Sequence, residues 1–273
     1  MTKLVILTNG NYFARLIVEP LLNSYRNDVV GILIVTGDYK GRHGIKMLKE
    51  LAQVTAFPYL LYKIVTACTF SFAQLIFRNS LLSVENCARK LSVPIHKVVS
   101  IKTDDAYSWI KNLQPQLIIS VSCPQRIPNI ILDVATQGGI NIHSSMLPEY
   151  AGLAPYYWVL SKGEHFTGTT VHYMTSQFDK GNVLVQKTLE INSGESAFNL
   201  FVRLAQIGGE TLLHAVPMAL NRDAGKPQNH ANYSYYSNPS MQSYCDLKQH
   251  GHVTFRIKEV LAVISREVRS AAT

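Results

Sequence analysis

Four short runs decide what this chain can fold into. "KLVILTNGN", "DVVGILIVTGD", "QPQLIISVS" and "GGINIHS" are apolar and β-branched without interruption, end in Asn, Gly, Asp or Ser, and alternate with helix-compatible stretches. A strand with one wet face alternates apolar and polar residues, whereas a run that stays apolar is buried on both faces. Such runs predict a doubly wound α/β domain, a mostly parallel sheet with helices on either side. Sheets of this kind hold ligands beyond the carboxyl ends of their strands.

The last run ends unusually. In "GINIHSSMLPEYAGLAPYYW" Asn141 and His143 stand two residues apart, and alternate residues of an extended strand share a face. A solvated strand end is the ordinary reading of such a pair. Further along, the turn "SQFDKGN" offers Asp179 and Gly181; an Asp there is ordinarily a turn former. Chemistry would use the three polar groups differently. An imidazole moves a proton near neutrality, an amide NH₂ donates to a developing oxyanion, and a carboxylate orients the imidazole or takes a proton. Together they suit attack by an amine on an activated carbonyl.

The chain's 273 residues, 47% hydrophobic and 16% charged, suffice for a full globular core. Cys68, Cys87, Cys123 and Cys245 form neither a CxxC pair nor a Cys/His cluster, so no metal site or disulfide framework is expected and a cytoplasmic setting fits. "MTKLVILTNGN" does not read as a signal peptide. The net charge of +8 is spread without a basic run, which suits a mildly basic solvated surface; an anionic small substrate needs only a few of these cations. The segment from Ala56 to Phe77 is long and apolar, yet Pro58, Lys63 and Gln74 interrupt it. A buried or half-buried helix pair is expected there, ahead of a peripheral membrane or partner surface and of a transmembrane span.

After Trp158 two strands joined through "SQFDKGN" are expected, then a long helix over "SAFNLFVRLAQIGGETLLHAVPMAL" despite its two Gly. The tail "NHANYSYYSNPSMQSY" is polar and aromatic, and "TFRIKEVLAVISREVRS" reads as an amphipathic helix. This divides the chain into a catalytic core, 1–220, and a small C-terminal appendage, 221–273.

"GGINIHSSMLPEYAGLAP" followed by "TGTTVHYMTSQFDKGNVLVQ" resembles the signature of the 10-formyltetrahydrofolate-dependent formyltransferases, an N-x-H-x-S-L-L-P loop followed by a T-x-H/M strand and a D-x-G turn. The similarity runs from Leu4 to Leu220 and is strongest over residues 116–190; Met146 stands where the pattern has Leu. The resemblance implies the formyltransferase fold and makes Asn141, His143 and Asp179 the catalytic trio. Asn141 and protonated His143 would hold the oxyanion, and Asp179 would orient His143 and help remove the amine proton. It also implies a 10-formyltetrahydrofolate pocket lined by Gln125, Arg126 and Ile127, helped by Phe178 and Gly181; plain core packing is the alternative for Ile127.

For the acceptor, Asn9, Gly10 and Asn11 occupy a strand-to-helix turn suited to an anion. Tyr12 and Phe13 depart from the glycine-rich phosphate loop of the glycinamide ribonucleotide enzymes. The stretch after the core is shorter than the barrel domain carried by the tRNA enzymes of that family, which demotes a nucleic-acid partner. A nucleotide-linked amino sugar is the expected acceptor, with Trp158 and the Tyr-rich tail stacking on a base or sugar or simply packing. The hydroxylamine of a siderophore precursor, hydrolysis of formyltetrahydrofolate, and a non-catalytic folate- or partner-binding role are the alternatives. The family's habits imply a homodimer.

Overall fold

The computed structural model describes residues 2–38, 49, 52–77 and 80–270. Seven strands form one sheet: β1 (Leu4–Thr8), β2 (Val29–Val35), β3 (Ile95–Val98), β4 (Leu117–Val121), β5 (Gly139–His143), β7 (Phe166–Tyr173) and β8 (Val183–Glu190). Their order is β3-β2-β1-β4-β5-β7-β8, with the first five parallel and the last two antiparallel. The chain walks outward from β1 to β3 and then returns to β4 on the other side of β1, so the strand order reverses between β1 and β4. A two-residue strand, β6 (Ala151–Gly152), pairs with β9 (Tyr235–Tyr236).

Helices cover the two faces unequally. On one face α1 (Tyr12–Ser24) and α7 (Ala197–Leu220) pack on each other and on Ile6, Ile32, Ile119, Ile140, Ile142 and Val171. Their close approach explains the two Gly of α7. A Cβ at Gly209 would lie 2.9 Å from Cγ of Pro20 and 3.2 Å from the Leu16 carbonyl oxygen, so a larger residue would force the helices apart. On the other face α4 (Asp104–Leu113) and the single turn α5 (Asn129–Leu132) pack with Leu7, Leu33 and Ile118 over the first strands. Asn141, His143 and His172 lie on that second face, because their neighbours Ile140, Ile142 and Val171 belong to the first. There the sheet is roofed by loops.

The segment expected as a helix pair is one continuous helix, α2 (Phe57–Ile76). Pro58 sits in the first turn, where its missing N–H costs nothing. The hydroxyls of Thr66 and Thr69 donate back to the Tyr62 and Val65 carbonyls, so the polar residues do not break it. Tyr59, Tyr62, Thr66, Phe70 and Ala73 face inward, while Phe57, Phe72, Leu75 and Ile76 are exposed. By length and composition alone α2 is long and apolar enough to cross a membrane, and 33% of that window is buried in the protein.

Beyond residue 220 follow α8 (Met241–Gln249) and α9 (Ile257–Ser270), with α6 (Pro155–Ser161) packed against α8. Leu247, Val260 and Ile264 join the main core. The buried Arg15 pairs with Glu267 at 3.1 Å, and the Tyr12 hydroxyl donates to the same carboxylate at 3.0 Å. The last helix is thereby tied to the first.

Candidate active site

β5 delivers Asn141 and His143 to one face, and cross-strand register adds a residue the sequence reading left without a role. Asn141 is paired with His172 of β7, so the two side chains lie side by side. Asn141 Nδ2 is 3.2 Å from His172 Nε2, and His172 Nδ1 is 2.9 Å from the Tyr173 carbonyl oxygen. A carbonyl only accepts, so Nδ1 carries a proton, and Nε2 lies between the Asn141 amide and the Asp179 carboxylate. The signal was present in the "TTVHYM" strand, but only the pairing register reveals which residue it faces.

His143 is 8% exposed and held by its other neighbour in sequence. Its Nε2 donates to the Tyr150 carbonyl at 2.9 Å, which leaves Nδ1 facing Asp179 Oδ2 at 3.9 Å. Asp179 Oδ1 is 3.6 Å from His172 Nε2, and the Gly152 N–H donates to Oδ2 at 2.9 Å. One carboxylate thus faces two imidazoles and accepts a backbone N–H. Burial pushes its proton affinity up, but the His143 charge, the His172 hydrogen bond and charge, and the Gly152 N–H outweigh it, and the carboxyl lies well below its ordinary value. It is held as an anion.

Asp179 adopts φ +53°, a left-handed conformation in which Asp is one of the few tolerated residues. Gly181, two residues on, is pressed against β7: a Cβ there would lie 1.9 Å from the Tyr173 carbonyl oxygen. This is the physical reason for a D-x-G turn at this place. Gln228 completes it by donating to the carbonyls of Asp179 and Gly181 at 2.9 and 2.7 Å.

Beside the trio the loop after β4 meets the turn after β7. Arg126 donates to the Ser176 carbonyl, and its guanidinium lies 5.7 Å from the centroid of the exposed Phe178 ring. The Gln125 side chain is only 5% exposed; it accepts from the Ile101 N–H and donates to the Gly37 and Val99 carbonyls. It staples the loop to the sheet edge. Ile127 packs in the second-face core with Ile131 and Leu132. Of the expected pocket residues, then, Arg126 and Phe178 expose their side chains beside the trio, while Gln125 and Ile127 pack to fix the Ser122–Ile127 loop.

The residues expected to take the acceptor are engaged locally. The Gly10 N–H donates to Thr8 Oγ1, the Asn11 N–H to Asn9 Oδ1, and the Ala14 N–H to Asn11 Oδ1, which caps α1. The turn spends these donors on its own side chains. Trp158 donates through Nε1 to the Ser237 carbonyl, and its ring lies 4.7 Å from that of Tyr236, which in turn stacks on Tyr150. The aromatic row packs beside the loop that orients His143. Among the described residues no cluster of His, Cys, Asp and Glu could hold a metal ion.

A doubly wound α/β sheet with an amide, two imidazoles and a carboxylate gathered at its loop-roofed face defines an α/β enzyme class. The chain belongs to the formyl transferase family, whose profile matches residues 63–216 and whose named relatives are enzymes. It is 34% identical over 145 residues to the methionyl-tRNA formyltransferase of Alkaliphilus oremlandii, covering 53% of this chain and 47% of that protein. With the enzyme of the same name from Geobacter sulfurreducens it shares 36% over 143 residues, 52% of this chain and 44% of the relative. The chain therefore spans about half the length of the curated relatives it matches.

Among solved structures, the fold resembles an N-formyltransferase from Helicobacter canadensis in complex with folinic acid and dTDP-3-aminofucose. That match has a TM-score of 0.60 at 16% identity, over 92% of this chain and 81% of the other. Glycinamide ribonucleotide transformylase 1 from Symbiobacterium toebii gives a TM-score of 0.57 at 15% identity, over 84% and 93%.

Proposed function

We propose that the chain transfers a formyl group from 10-formyltetrahydrofolate to a primary amine of a small, anionic molecule, with a nucleotide-linked amino sugar as the preferred acceptor. The observation that carries the reading is the gathering of Asn141, His143 and Asp179 in one connected group, Asn141 joining it through His172, with the carboxyl kept ionised. Residues 1–220 supply the chemical groups and 221–273 brace their loops.

The donor would lie between the Ser122–Ile127 loop and the turn through Phe178. A folate brings a planar ring and an anionic tail, and the exposed Phe178 face and Arg126 guanidinium complement both. Bound there, 10-formyltetrahydrofolate would supply the electrophilic formyl carbon. An amide NH₂ has two donors. The Asn141 amide, 3.2 Å from His172, would present an N–H to the oxygen that becomes negative as the amine adds. His143, protonated on both nitrogens, adds a positive charge beside that oxygen, and Asp179 stabilises it. The ionised Asp179 carboxylate would accept the proton shed by the attacking nitrogen; collapse of the oxyanion would then break the bond between the formyl carbon and the folate nitrogen, which would leave with that proton. One such oxyanion donor contributes about 3 kcal/mol of barrier lowering.

The amino-sugar preference draws support from the H. canadensis complex and from the Trp158, Tyr236 and Tyr150 row beside the trio. A second reading, with methionyl-tRNA as acceptor, is favoured by the names of the sequence relatives. Incubating the protein with 10-formyltetrahydrofolate and, separately, a dTDP-linked 3-amino sugar or charged initiator tRNA distinguishes them. Formylated sugar supports the first reading and formylmethionyl-tRNA the second; formylation of neither acceptor would sink both. Thermal unfolding with 5-formyltetrahydrofolate checks the donor site, since a ligand at a hundred times its dissociation constant stabilises by about 2.7 kcal/mol.

A further inference from the structure

One peptide, running from Ala224 to Tyr236, holds both loops that build the site. At its start Asn182 donates to the Ala224 carbonyl at 2.9 Å, and Val183 and Lys226 exchange two backbone hydrogen bonds at 2.8 and 2.7 Å. At its end the Tyr150 N–H donates to Ser234 Oγ, the Ala151 N–H to the Ser234 carbonyl and the Leu153 N–H to the Tyr236 carbonyl. The first set holds the turn of Asp179. The second holds the loop whose Tyr150 carbonyl orients His143 and whose Gly152 N–H binds Asp179 Oδ2.

Between the two sets one side chain reaches inward. Gln228 Nε2 donates to the carbonyls on either side of Lys180, while its buried Oε1 has no partner among the described residues. Both contacts are donations. Among the described residues the amide is therefore orientated by two carbonyls of the D-x-G turn alone, and it pins the left-handed backbone of Asp179 from outside. Truncating it would leave the carboxylate's own partners in place but free the turn that aims it.

We propose that Gln228 is a positioning residue for the catalytic carboxylate, setting the aim of Asp179 between His143 and His172 from a strap outside the core. The inference rests on the formyl-transfer reading, because it assigns Asp179 a place in that chemistry. Gln228 touches neither substrate. It acts on the rate by fixing the carboxylate, and misplacement of a reacting group by about 1 Å costs on the order of 100-fold.

The test is Gln228→Met, which keeps the length of the side chain and removes both donors, with Gln228→Asn, one methylene shorter, as the milder variant should Met fail to fold. Formyl transfer from 10-formyltetrahydrofolate to a dTDP-linked 3-amino sugar is followed across pH, beside a ¹³C NMR titration of the Asp179 carboxyl in the free protein. The groups facing that carboxyl are His143 of β5, His172 of β7, the Gly152 N–H of β6 and Tyr233 of the strap, whose ring carries Lys180 at 4.5 Å. The expected result is a fall in kcat of about 10- to 100-fold with KM for the folate unchanged. The acid limb of the profile moves to higher pH, and the Asp179 titration rises toward the ordinary carboxylate range. A lower melting temperature with kcat, profile and titration as in the wild type would make Gln228 merely structural and overturn the proposal. If the wild type formylates no amine, the reading of function falls, and the NMR titration still decides whether Gln228 aims the carboxylate.

Discussion

β5 and β7 each have two faces, and the two obey different rules. Ile140, Ile142 and Val171 point to the face covered by α1 and α7 and are buried in the main core. Asn141, His143 and His172, their alternating neighbours, point to the face roofed by loops and are held by hydrogen bonds and charge. The apolar face needs only the right size and period, and it tolerates repacking. The polar face needs partners from three separate stretches of chain, each within a few tenths of an ångström. Stability and the proposed chemistry thus share the same two strands, on opposite sides.

Mutations that act on one face at a time will show whether the separation holds. The largest effect is expected from Ile140→Ala, which empties a fully buried site and should cost about 2–5 kcal/mol in a urea unfolding curve. The rate per folded molecule should be unchanged; a rate that fell in proportion would mean the faces are coupled. Asn141→Ala should do the reverse, lowering kcat by about 10²- to 10³-fold while folate binding and melting temperature stay near the wild type. Should this variant turn over normally, the amide has no part in the chemistry.

Asp179→Asn sharpens the comparison through pH. The folded carboxyl holds its proton more weakly than the ordinary value of 3.8, so its charge stabilises the fold in full above that value. That stability drains only as pH falls through the lower folded value. The Asn variant, which tolerates the left-handed backbone, should be less stable than the wild type at pH 7 and should converge on it in strong acid. A stability gap independent of pH would show that the loss is one of packing. The smallest effect is expected at the aromatic row. Trp158→Phe removes the hydrogen bond to the Ser237 carbonyl and should cost about 1 kcal/mol in thermal unfolding, with turnover retained.

The apolar face was the legible one. Period and composition located β1, β2, β4, β5, the β7–β8 hairpin and α7, because these elements are specified by their own residues. β3, "IHKV", escaped because an edge strand of mixed polarity carries no continuous run. The helix pair expected over Ala56 to Phe77 became one helix because its Thr residues satisfy themselves along the backbone. On the polar face the motif singled out Asn141, His143 and Asp179, which the fold brings near one another. His172 and Gln228 escaped it, since the role of each depends on a partner across the sheet or 49 residues away.

The strap from Ala224 to Tyr236 also gives the molecule a schedule. Domains are made from the amino end at about 5–20 residues per second. Strands β1 to β8, and with them Asn141, His143, His172 and Asp179, are all synthesised before Gln228 and Ser234 are added. A nascent chain can therefore assemble its sheet early, yet the two loops that aim its reactive groups stay unfastened until the strap arrives. Chemical competence is among the last things this polypeptide acquires.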